Sequence, residues 1–279
     1  MPEKYDTIVL SGGGIKGLIL LGALQCAMDN FLLSNIENYI GTSIGSIICY
    51  LLIIGYTPIE IMVYICTQRF FEKIQSFNLV NILSSEGVIS YTSIQESLEK
   101  MTIEKVGKYL TLKEMKEKYN KNLICVTYNK TLKKAEYIST DNYPDLPCLI
   151  ALRMSANVPL LFDKFKYMGN FYADGAIINN FAIKHGDEIG KKILGIRIIK
   201  DEEMLGNNNS ILQDIFHYMY ISINQSTEYQ ISMCSNKCNI ISLKDMDSFA
   251  FDFNLKSKEK LELFSEGYNQ LKSILDLKN

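Results

Sequence analysis

The sequence carries little net charge. Its 279 residues include 29 lysines and arginines against 31 aspartates and glutamates, so the formal net charge at pH 7 is −2. Nucleic-acid-binding domains carry a basic surface and a recognisable binding motif, and the sequence gives no sign of either. We therefore expect no nucleic-acid partner. The composition leaves the oligomeric state open.

Histidine is scarce as well, which limits the possible metal sites. The only histidines are His185 and His217, and the only closely spaced cysteines are Cys234 and Cys238. A structural zinc ion takes four cysteine or histidine ligands, so we expect neither a metal nor a cofactor. The seven cysteines are irregularly spaced and lie mostly in apolar runs, which is typical of reduced thiols in a cytosol-like compartment.

The sequence also lacks an apolar run long enough to cross a membrane. Residues 38–59 carry no charge, but only Ile47–Tyr56 is continuously apolar or glycine, whereas a spanning helix needs about 20 such residues. A short helix that is apolar all round belongs in the core of a large domain. The N-terminus, MPEKYDTIVL, enters a strand at once and leaves no room for a signal peptide. We expect a cytoplasmic protein, free or peripherally bound to a membrane, and delivery into another cell stays open.

Segments with strand-like and helical patterns alternate along the chain. Strands are predicted near residues 5–10, 38–40, 123–128, 135–139, 165–168, 171–173 and 192–199. Helices are predicted near residues 16–30, 44–55, 58–71, 92–119, 146–155, from about 211 onward, and 256–277. Residues 68–83 are compatible with a core helix or with an amphipathic flap that touches lipid. This alternation is typical of a mostly parallel sheet covered on both faces, so we predict one α/β domain over residues 1–279.

The first motif is a glycine loop, SGGGIKG at residues 11–17. From Gly12 to Gly17 it satisfies G-x-G-x-x-G between a predicted strand and a predicted helix, with Lys16 inside it. That pattern is also the dinucleotide fingerprint, so a nucleotide- or dinucleotide-binding protein is a serious alternative. This alternative needs an acidic residue at the end of the second strand, and the only near candidate, Glu37, precedes that strand.

The second and third motifs supply a serine and an aspartate. Gly41-Thr-Ser43-Ile-Gly45 reads G-x-S-x-G between a short strand and an apolar helix, the context in which a sharp turn exposes the serine hydroxyl. The alternative is a serine that only caps a buried helix. Asp174-Gly175 ends a predicted strand, and a lone Asp-Gly pair is usually a turn.

Together the three motifs contain the parts of a serine hydrolase. Ser43 would attack an acyl carbonyl, and Asp174 would accept its proton and return it to the leaving alcohol. The backbone N–H groups of Gly12, Gly13 and Gly14 would bind the oxygen that becomes negative. A Ser–Asp dyad suffices for this chemistry if the carboxylate contacts the hydroxyl and is partly desolvated.

A histidine triad is the alternative arrangement. The chain order of Ser43, Asp174 and then His185 or His217 matches that of α/β-hydrolases. His217 lies within a predicted helix, and His185 lies near a predicted helix end, where a cationic histidine is favourable for ordinary reasons. The dyad is therefore our preferred hypothesis.

Taken together, these residues resemble the patatin-like phospholipase family. The sequence has SGGGIKG at 11–17, GTSIGS at 41–46 and DGA at 174–176, in the order and spacing of that family. A further stretch, SANVP at 155–159, looks like the family's Ser-Ala-x-x-Pro segment. One departure is Asn179-Asn-Phe181, where the family often has Asn-x-Pro. The similarity runs from about residue 5 to residue 185.

The resemblance implies a three-layer α/β/α sandwich that hydrolyses acyl esters of lipids, chiefly phospholipids at a membrane surface, without calcium. Ser43 and Asp174 fall on the catalytic dyad of the family and Gly12–Gly14 on its oxyanion loop. The supporting motif residues are Lys16, Gly17, Gly41, Gly45 and Gly175. A catalytically silent lipid-binding scaffold with the same fold is a further alternative. Apolar residues at 70–80 or 249–253 are candidates for membrane contact, while the head group, acyl length and sn position stay open.

Overall fold

The computed structural model describes residues 4–67, 90–159, 161–200, 211–245 and 255–277, of which residues 200 and 211–217 are described by their backbone alone. The predicted helix residues 68–71, the possible flap over 68–83 and the apolar residues at 249–253 lie outside these ranges. No single helix within the described ranges is long and apolar enough to span a membrane. One pair of helices, Ile44–Ile53 and Pro58–Thr67, reaches that length and composition together, but with a bend of 116°.

Among the described residues, eight strands form one sheet. Their bounds are Thr7–Leu10 (β1), Asn38–Thr42 (β2), Asn122–Asn129 (β3), Lys134–Ile138 (β4), Phe165–Tyr167 (β5), Asn170–Asp174 (β6), Ile193–Lys200 (β7) and Cys238–Asp245 (β8). The pairing order is β5-β6-β3-β2-β1-β7-β8, and β4 also pairs with β3. The neighbouring strands β3, β2, β1, β7 and β8 pair parallel to one another, whereas β4, β5 and β6 pair antiparallel to their neighbours.

Helices cover both faces of this sheet. Their bounds are Gly17–Asp29 (α1), Ile44–Ile53 (α2), Pro58–Thr67 (α3), Thr92–Val106 (α4), Leu112–Tyr119 (α5), Cys148–Ser155 (α6), Ala176–Asn179 (α7), Ile183–Ile189 (α8), Ile211–Ser232 (α9) and Ser257–Asp276 (α10). Successive residues of β1 point to opposite faces, as the strand period of two requires. Ile8 and Leu10 join the core that includes α1 and α2, while Val9 joins the core beside α8. The predicted three-layer α/β/α sandwich is therefore confirmed.

The sheet brings the ends of β2 and β6 together. Thr42, the last residue of β2, pairs with Val126 of β3, and Asp174, the last residue of β6, pairs with the next residue, Thr127. Both strands lie on the same side of β3, because β4 occupies its other side at these positions. One runs parallel to β3 and the other antiparallel, so their carboxyl ends meet head to head. This arrangement places Ser43 beside Asp174.

The segment after residue 200 belongs to the same sheet and core. Strand β8, which the sequence pattern did not predict, pairs with β7. Helix α10 packs on α1 through Gly22 and Gly267, where an added Cβ would overlap the backbone of the other helix. On this helix Leu271 is fully buried, whereas Leu261 is 52% exposed.

The predicted helix over 92–119 is two helices in the structure. Helix α4 ends at Gly107, whose φ of +82° is a left-handed conformation that glycine adopts without strain. Helix α5 begins after Thr111, whose side chain accepts a hydrogen bond from the Glu114 N–H in a capping box. The chain therefore changes direction between two helices that a single periodic pattern does not separate.

Candidate active site

Ser43 stands on a strained turn between β2 and α2. Its φ of 54° and ψ of −123° are outside the regions that non-glycine residues favour, and such strain concentrates at functional sites. The turn is so tight that neither of its flanking glycines has room for a side chain. A Cβ at Gly41 would overlap the Ser46 nitrogen, and one at Gly45 would lie 2.6 Å from the Ser11 carbonyl oxygen. The G-x-S-x-G pattern thus forms a serine elbow.

The hydroxyl of Ser43 is not used to cap the helix. Ser43 occupies the N-cap position of α2, yet its side chain makes no capping hydrogen bond. The backbone of the turn is held instead by neighbouring hydroxyls. The Ser43 N–H donates to Ser155 Oγ at 3.0 Å, and Ser46 Oγ donates to the Ser43 carbonyl at 2.6 Å. The alternative that Ser43 is a simple helix cap is therefore wrong.

Asp174 faces this serine as a buried carboxylate. Its Oδ1 accepts a hydrogen bond from the Ala176 N–H at 2.8 Å, whereas its buried Oδ2 has no hydrogen-bond partner within the described part of the chain. Burial raises the pKa of Asp174 to about 6, although interactions with the Ser43 hydroxyl and the Ala176 N–H favour the charged form and partly oppose this rise. A carboxylate with a free oxygen and a pKa near neutrality can accept a proton.

The glycine loop lies directly beside the serine. A Cβ at Gly12 would be 3.3 Å from the Ser43 Cβ and 2.5 Å from Asn180 Oδ1. The prediction that the Gly12 N–H binds an oxyanion is not met in this structure, because that N–H donates to the Asn180 carbonyl at 3.1 Å. By contrast, the N–H groups of Gly13 and Gly14 make no hydrogen bond to any described residue. These two remain available as donors.

The last two residues of the glycine motif anchor the loop. Lys16 is buried and forms an ion pair with the buried Asp245 at the end of β8. A Cβ at Gly17 would lie 2.5 Å from the Ile44 side chain, so this glycine lets the first turns of α1 and α2 approach closely. The C-terminal part of the chain therefore contributes a charge that holds the loop in place.

The last residue of α6 and the residues that follow it contact both catalytic candidates. Ser155 Oγ accepts the Ser43 N–H and donates to the Val126 carbonyl at 2.6 Å. The carbonyls of Ser155 and Asn157 accept the N–H groups of Gly175 at 3.2 Å and Asp174 at 2.9 Å. The pattern of the SANVP stretch alone assigns none of its residues a role. Only the folded chain shows that it contacts both motifs.

His185 contacts other residues than the two catalytic candidates. The His185 ring stacks on Tyr137 with centroids 4.2 Å apart, and its Nδ1 lies 3.9 Å from a Glu188 oxygen. Burial lowers the pKa of His185. No hydrogen bond joins His185 to Ser43 or Asp174 among the described residues. The His217 side chain lies outside the described set.

One group of potential metal ligands lies away from the serine. Ligand atoms of Asp187, Cys234 and Cys238 are all within 4.8 Å of one another. The Asp187 carboxylate is already engaged, since it accepts a hydrogen bond from Ser235 Oγ at 2.5 Å and pairs with Lys184 at 3.3 Å. Burial raises the pKa of both thiols, which disfavours the thiolate that a metal requires. The three groups are one ligand short of the four that a structural zinc ion takes.

The dinucleotide alternative fails on the position of its acidic residue. Glu37 precedes β2 and its N–H donates to the Asp6 carbonyl, at the amino end of the strands. The glycine loop is at the carboxyl end, about 13 Å away along a four-residue strand. Glu37 is therefore too far from the loop to bind the ribose of a nucleotide whose phosphates lie on it.

Comparison with known proteins gives the family and the fold of this chain. Residues 8–185 match the family model described as patatin-like phospholipase. The chain is 37% identical over 201 residues, 68% of each chain, to "Probable lipid hydrolase 463L" of Invertebrate iridescent virus 6. Its fold is similar to that of VipD from Legionella pneumophila (TM-score 0.59, 16% identity, 98% of this chain and 67% of that chain). It is also similar to that of human GIVD cytosolic phospholipase A2 (TM-score 0.52, 11% identity, 99% and 59%). The chain belongs to the patatin-like phospholipase family.

Proposed function

We propose that the chain is a serine lipid acyl hydrolase that cleaves carboxylic esters of phospholipids or lysophospholipids at a membrane surface. Membership of the family and the name of the viral relative support lipid hydrolysis. The single observation that carries the serine mechanism is the buried Asp174 carboxylate beside a strained Ser43: the Ser43 hydroxyl interacts with it, and its Oδ2 has no geometrically well-formed hydrogen bond to any described residue. A buried carboxylate oxygen without a partner is costly in a purely structural role, so its retention favours a functional one.

The proposed reaction proceeds through an acyl-enzyme. The Ser43 oxygen attacks the ester carbonyl while its proton passes to Asp174 Oδ2. The N–H groups of Gly13 and Gly14 stabilise the developing oxyanion, and the Gly12 N–H instead fixes the loop on Asn180. Asp174 then returns the proton to the leaving alcohol. In the second half, water attacks the acyl-enzyme, gives its proton to Asp174, and Ser43 leaves with that proton as the free acid forms.

Each step uses only groups of this chain, the substrate and water, so we propose that hydrolysis needs no calcium and no cofactor. The activity in excess EGTA should equal the activity with added calcium. A loss of activity in EGTA that added calcium restores would contradict this part of the proposal.

Hydrolysis of phospholipid vesicles by three proteins tests the proposed function. Wild-type protein and Ser97→Ala should release fatty acid at equal rates, because the only hydrogen bond of the Ser97 hydroxyl to a described residue goes to the Ser93 carbonyl within α4. Ser43→Ala should release fatty acid at least about 10³-fold more slowly while keeping its fold. Equal rates from Ser43→Ala would exclude the dyad. Vesicle binding by the wild type without any release would favour a silent lipid-binding scaffold.

We also propose that residues 1–279 act as one domain. The family match ends at residue 185, yet β8 extends the sheet and Asp245 pairs with Lys16 of the glycine loop. The packing of α10 on α1 adds a second contact between the two parts. Removal of the chain after residue 200 should therefore abolish hydrolysis, and the shortened protein should show no cooperative unfolding transition.

A further inference from the structure

Two β-hairpins extend past the edge of the sheet that carries the serine elbow. One joins β3 to β4 through residues 130–133, and the other joins β5 to β6 through a two-residue turn. The Lys130 N–H donates to the Phe171 carbonyl at 2.8 Å, and the Phe171 N–H donates to Thr131 Oγ1 at 2.9 Å. These hydrogen bonds hold the hairpins side by side, so residues 130–133 and 164–171 form one surface, which we call the hairpin surface.

The strand pairing places the hairpin surface on the side of the sheet where Ser43 lies. Ser43 follows β2, whose last residue, Thr42, is opposite Val126 of β3. From there β3 continues to Asn129, an advance of about 10 Å in the same direction, before the chain turns. Strand β6 runs back from its own turn to Asp174. A flat partner that rests on the hairpin surface would therefore face the proposed active site.

The hairpin surface exposes three large apolar side chains. Leu132 is 53% exposed, Met168 is 83% exposed and Phe171 is 40% exposed. Single exposed apolar residues are ordinary on protein surfaces and need no explanation. A group of them surrounded by polar residues is instead typical of a site that binds another molecule or a membrane. The grouping of these three residues therefore indicates an interaction surface.

Met168 in addition occupies a backbone position that a methionine fills at a cost in stability. Its φ is 44° and that of Gly169 is 82°, so both residues of this turn have positive φ. Such two-residue turns favour Asn-Gly, because asparagine tolerates positive φ better than a larger apolar residue does. The exposed Met168 side chain gains little burial within the chain to offset this strain. A contact outside the chain gives a reason for the methionine.

The hairpin surface is also positively charged. Four of its lysines are exposed and form no ion pair with a described residue, namely Lys130, Lys133, Lys164 and Lys166. The two acidic residues of the hairpins outside the proposed active site are neutralised by neighbours. Glu136 pairs with Lys134 at 3.3 Å, and Asp163 pairs with Arg153 at 2.9 Å. This local positive charge stands out in a chain whose net charge is −2.

We propose that the hairpin surface binds the face of a bilayer that contains anionic phospholipids, an inference that rests on the proposed function. The exposed apolar side chains enter the boundary between head groups and acyl chains, where their burial favours binding. The lysines attract the negative lipid head groups, and each lysine near such a surface raises the affinity about fivefold. Apolar tips ringed by lysines match a bilayer better than an acidic protein, whose surface offers no apolar layer for the tips to enter.

Replacement of Met168 by asparagine tests the apolar part of this surface. Binding is measured by co-sedimentation of Ser43→Ala protein with vesicles of phosphatidylcholine and phosphatidylserine in equal parts, so that no lipid is hydrolysed. Met168→Asn should weaken binding about tenfold or more, yet be at least as stable in urea unfolding, because asparagine suits the positive φ. The matched control is Phe31→Asn beyond the end of α1, since Phe31 is also apolar, 70% exposed and at a positive φ of 59°.

Replacement of two lysines tests the charged part. Lys130→Gln combined with Lys133→Gln should lower the affinity for the phosphatidylserine-containing vesicles about 25-fold. The same variant should bind pure phosphatidylcholine vesicles as the parent does. The control combines Lys118→Gln with Lys191→Gln, two exposed lysines that precede the amino ends of β3 and β7, at the opposite edge of the sheet. This control should keep the parent affinity for both kinds of vesicle.

The results separate this inference from the proposed function. Hairpin variants that bind both kinds of vesicle as their controls do, or a parent protein that binds neither, would overturn the inference and make an acidic protein the better candidate for the partner. Binding that depends on the hairpins, without lipid hydrolysis by the wild type, would retain the hairpin surface and overturn the proposed function. Wild-type hydrolysis of vesicles whose binding no hairpin variant changes would retain the function and overturn the hairpin surface.

Discussion

Replacement of Asp174 by asparagine should abolish hydrolysis and also stabilise the fold at neutral pH. The native carboxyl is 2% exposed, and its burial raises the pKa from an ordinary 3.8 to about 6. The folded state therefore binds the proton more tightly than the unfolded state does. Above pH 6 the native carboxylate is ionised in an environment that disfavours the charge, which costs about 3 kcal/mol at 1.36 kcal/mol per pKa unit.

The pH window of this effect follows from its sign. Below about pH 4 the carboxyl is protonated in both states, so wild-type and Asp174→Asn should be equally stable. Between pH 4 and 6 the wild-type protein should lose stability relative to the variant, until the gap reaches about 3 kcal/mol. Urea unfolding at each pH measures this gap. Asp145→Asn, at an exposed position, is the control and should show no such gap.

Activity measured on the same proteins gives the second half of the test. Asparagine cannot accept a proton, so Asp174→Asn should lower kcat/KM by about 10³-fold or more at pH 8. Wild-type kcat/KM should fall tenfold per pH unit below about pH 6, because the base must be ionised to act. A variant that is less stable than wild type at pH 7, or a gap that does not change with pH, would refute the picture of a desolvated, ionised base.

Three further predictions concern the framework around the site. Ser43→Gly should be about 1 kcal/mol more stable than Ser43→Ala in urea unfolding, because glycine relieves the positive φ; equal stabilities would argue against strain. Ser155→Ala removes the acceptor of the Ser43 N–H, so it should cost about 1–3 kcal/mol of stability and lower kcat, and an unchanged kcat would deny it a positioning role. Gly267→Ala forces a Cβ onto the α1 backbone and should lower the melting temperature, whereas the exposed Asn269→Ala should not.

Local patterns were enough to predict most elements and the motif residues themselves. A strand, a glycine turn and an apolar helix follow one another within a few residues around Ser43, and the structure places its elbow there. Local sequence patterns could not predict that Ser43 lies beside Asp174 in the fold. That depends on β6 pairing antiparallel to β3, one residue beyond the end of β2, and no periodicity records which strands pair.

The corrections have the same physical origin. The Gly12 N–H was expected to face the substrate, but its partner Asn180 is far along the chain and only the fold brings the two together. Strand β8 was not predicted because CNIISLKD alternates weakly, as suits a strand whose side chains are only partly buried. The sequence predicts Lys16 only as a supporting residue of the glycine motif. Its ion pair could not be predicted, because its partner Asp245 lies at the end of that same strand. The Gly12 hydrogen bond, the pairing of β8 and the Lys16 ion pair all depend on contacts between segments that are distant in sequence.

Labelling with a lipid-like fluorophosphonate tests the central claim most directly, because this probe modifies an activated serine and spares ordinary hydroxyls. Intact masses of wild type, Ser43→Ala and Asp174→Asn are compared after the same exposure. A single adduct on the wild type, absent from Ser43→Ala and strongly slowed in Asp174→Asn, is the result that the dyad predicts. An adduct that forms equally on Ser43→Ala, or no adduct on a folded wild-type protein, would contradict the assignment of Ser43 as the nucleophile.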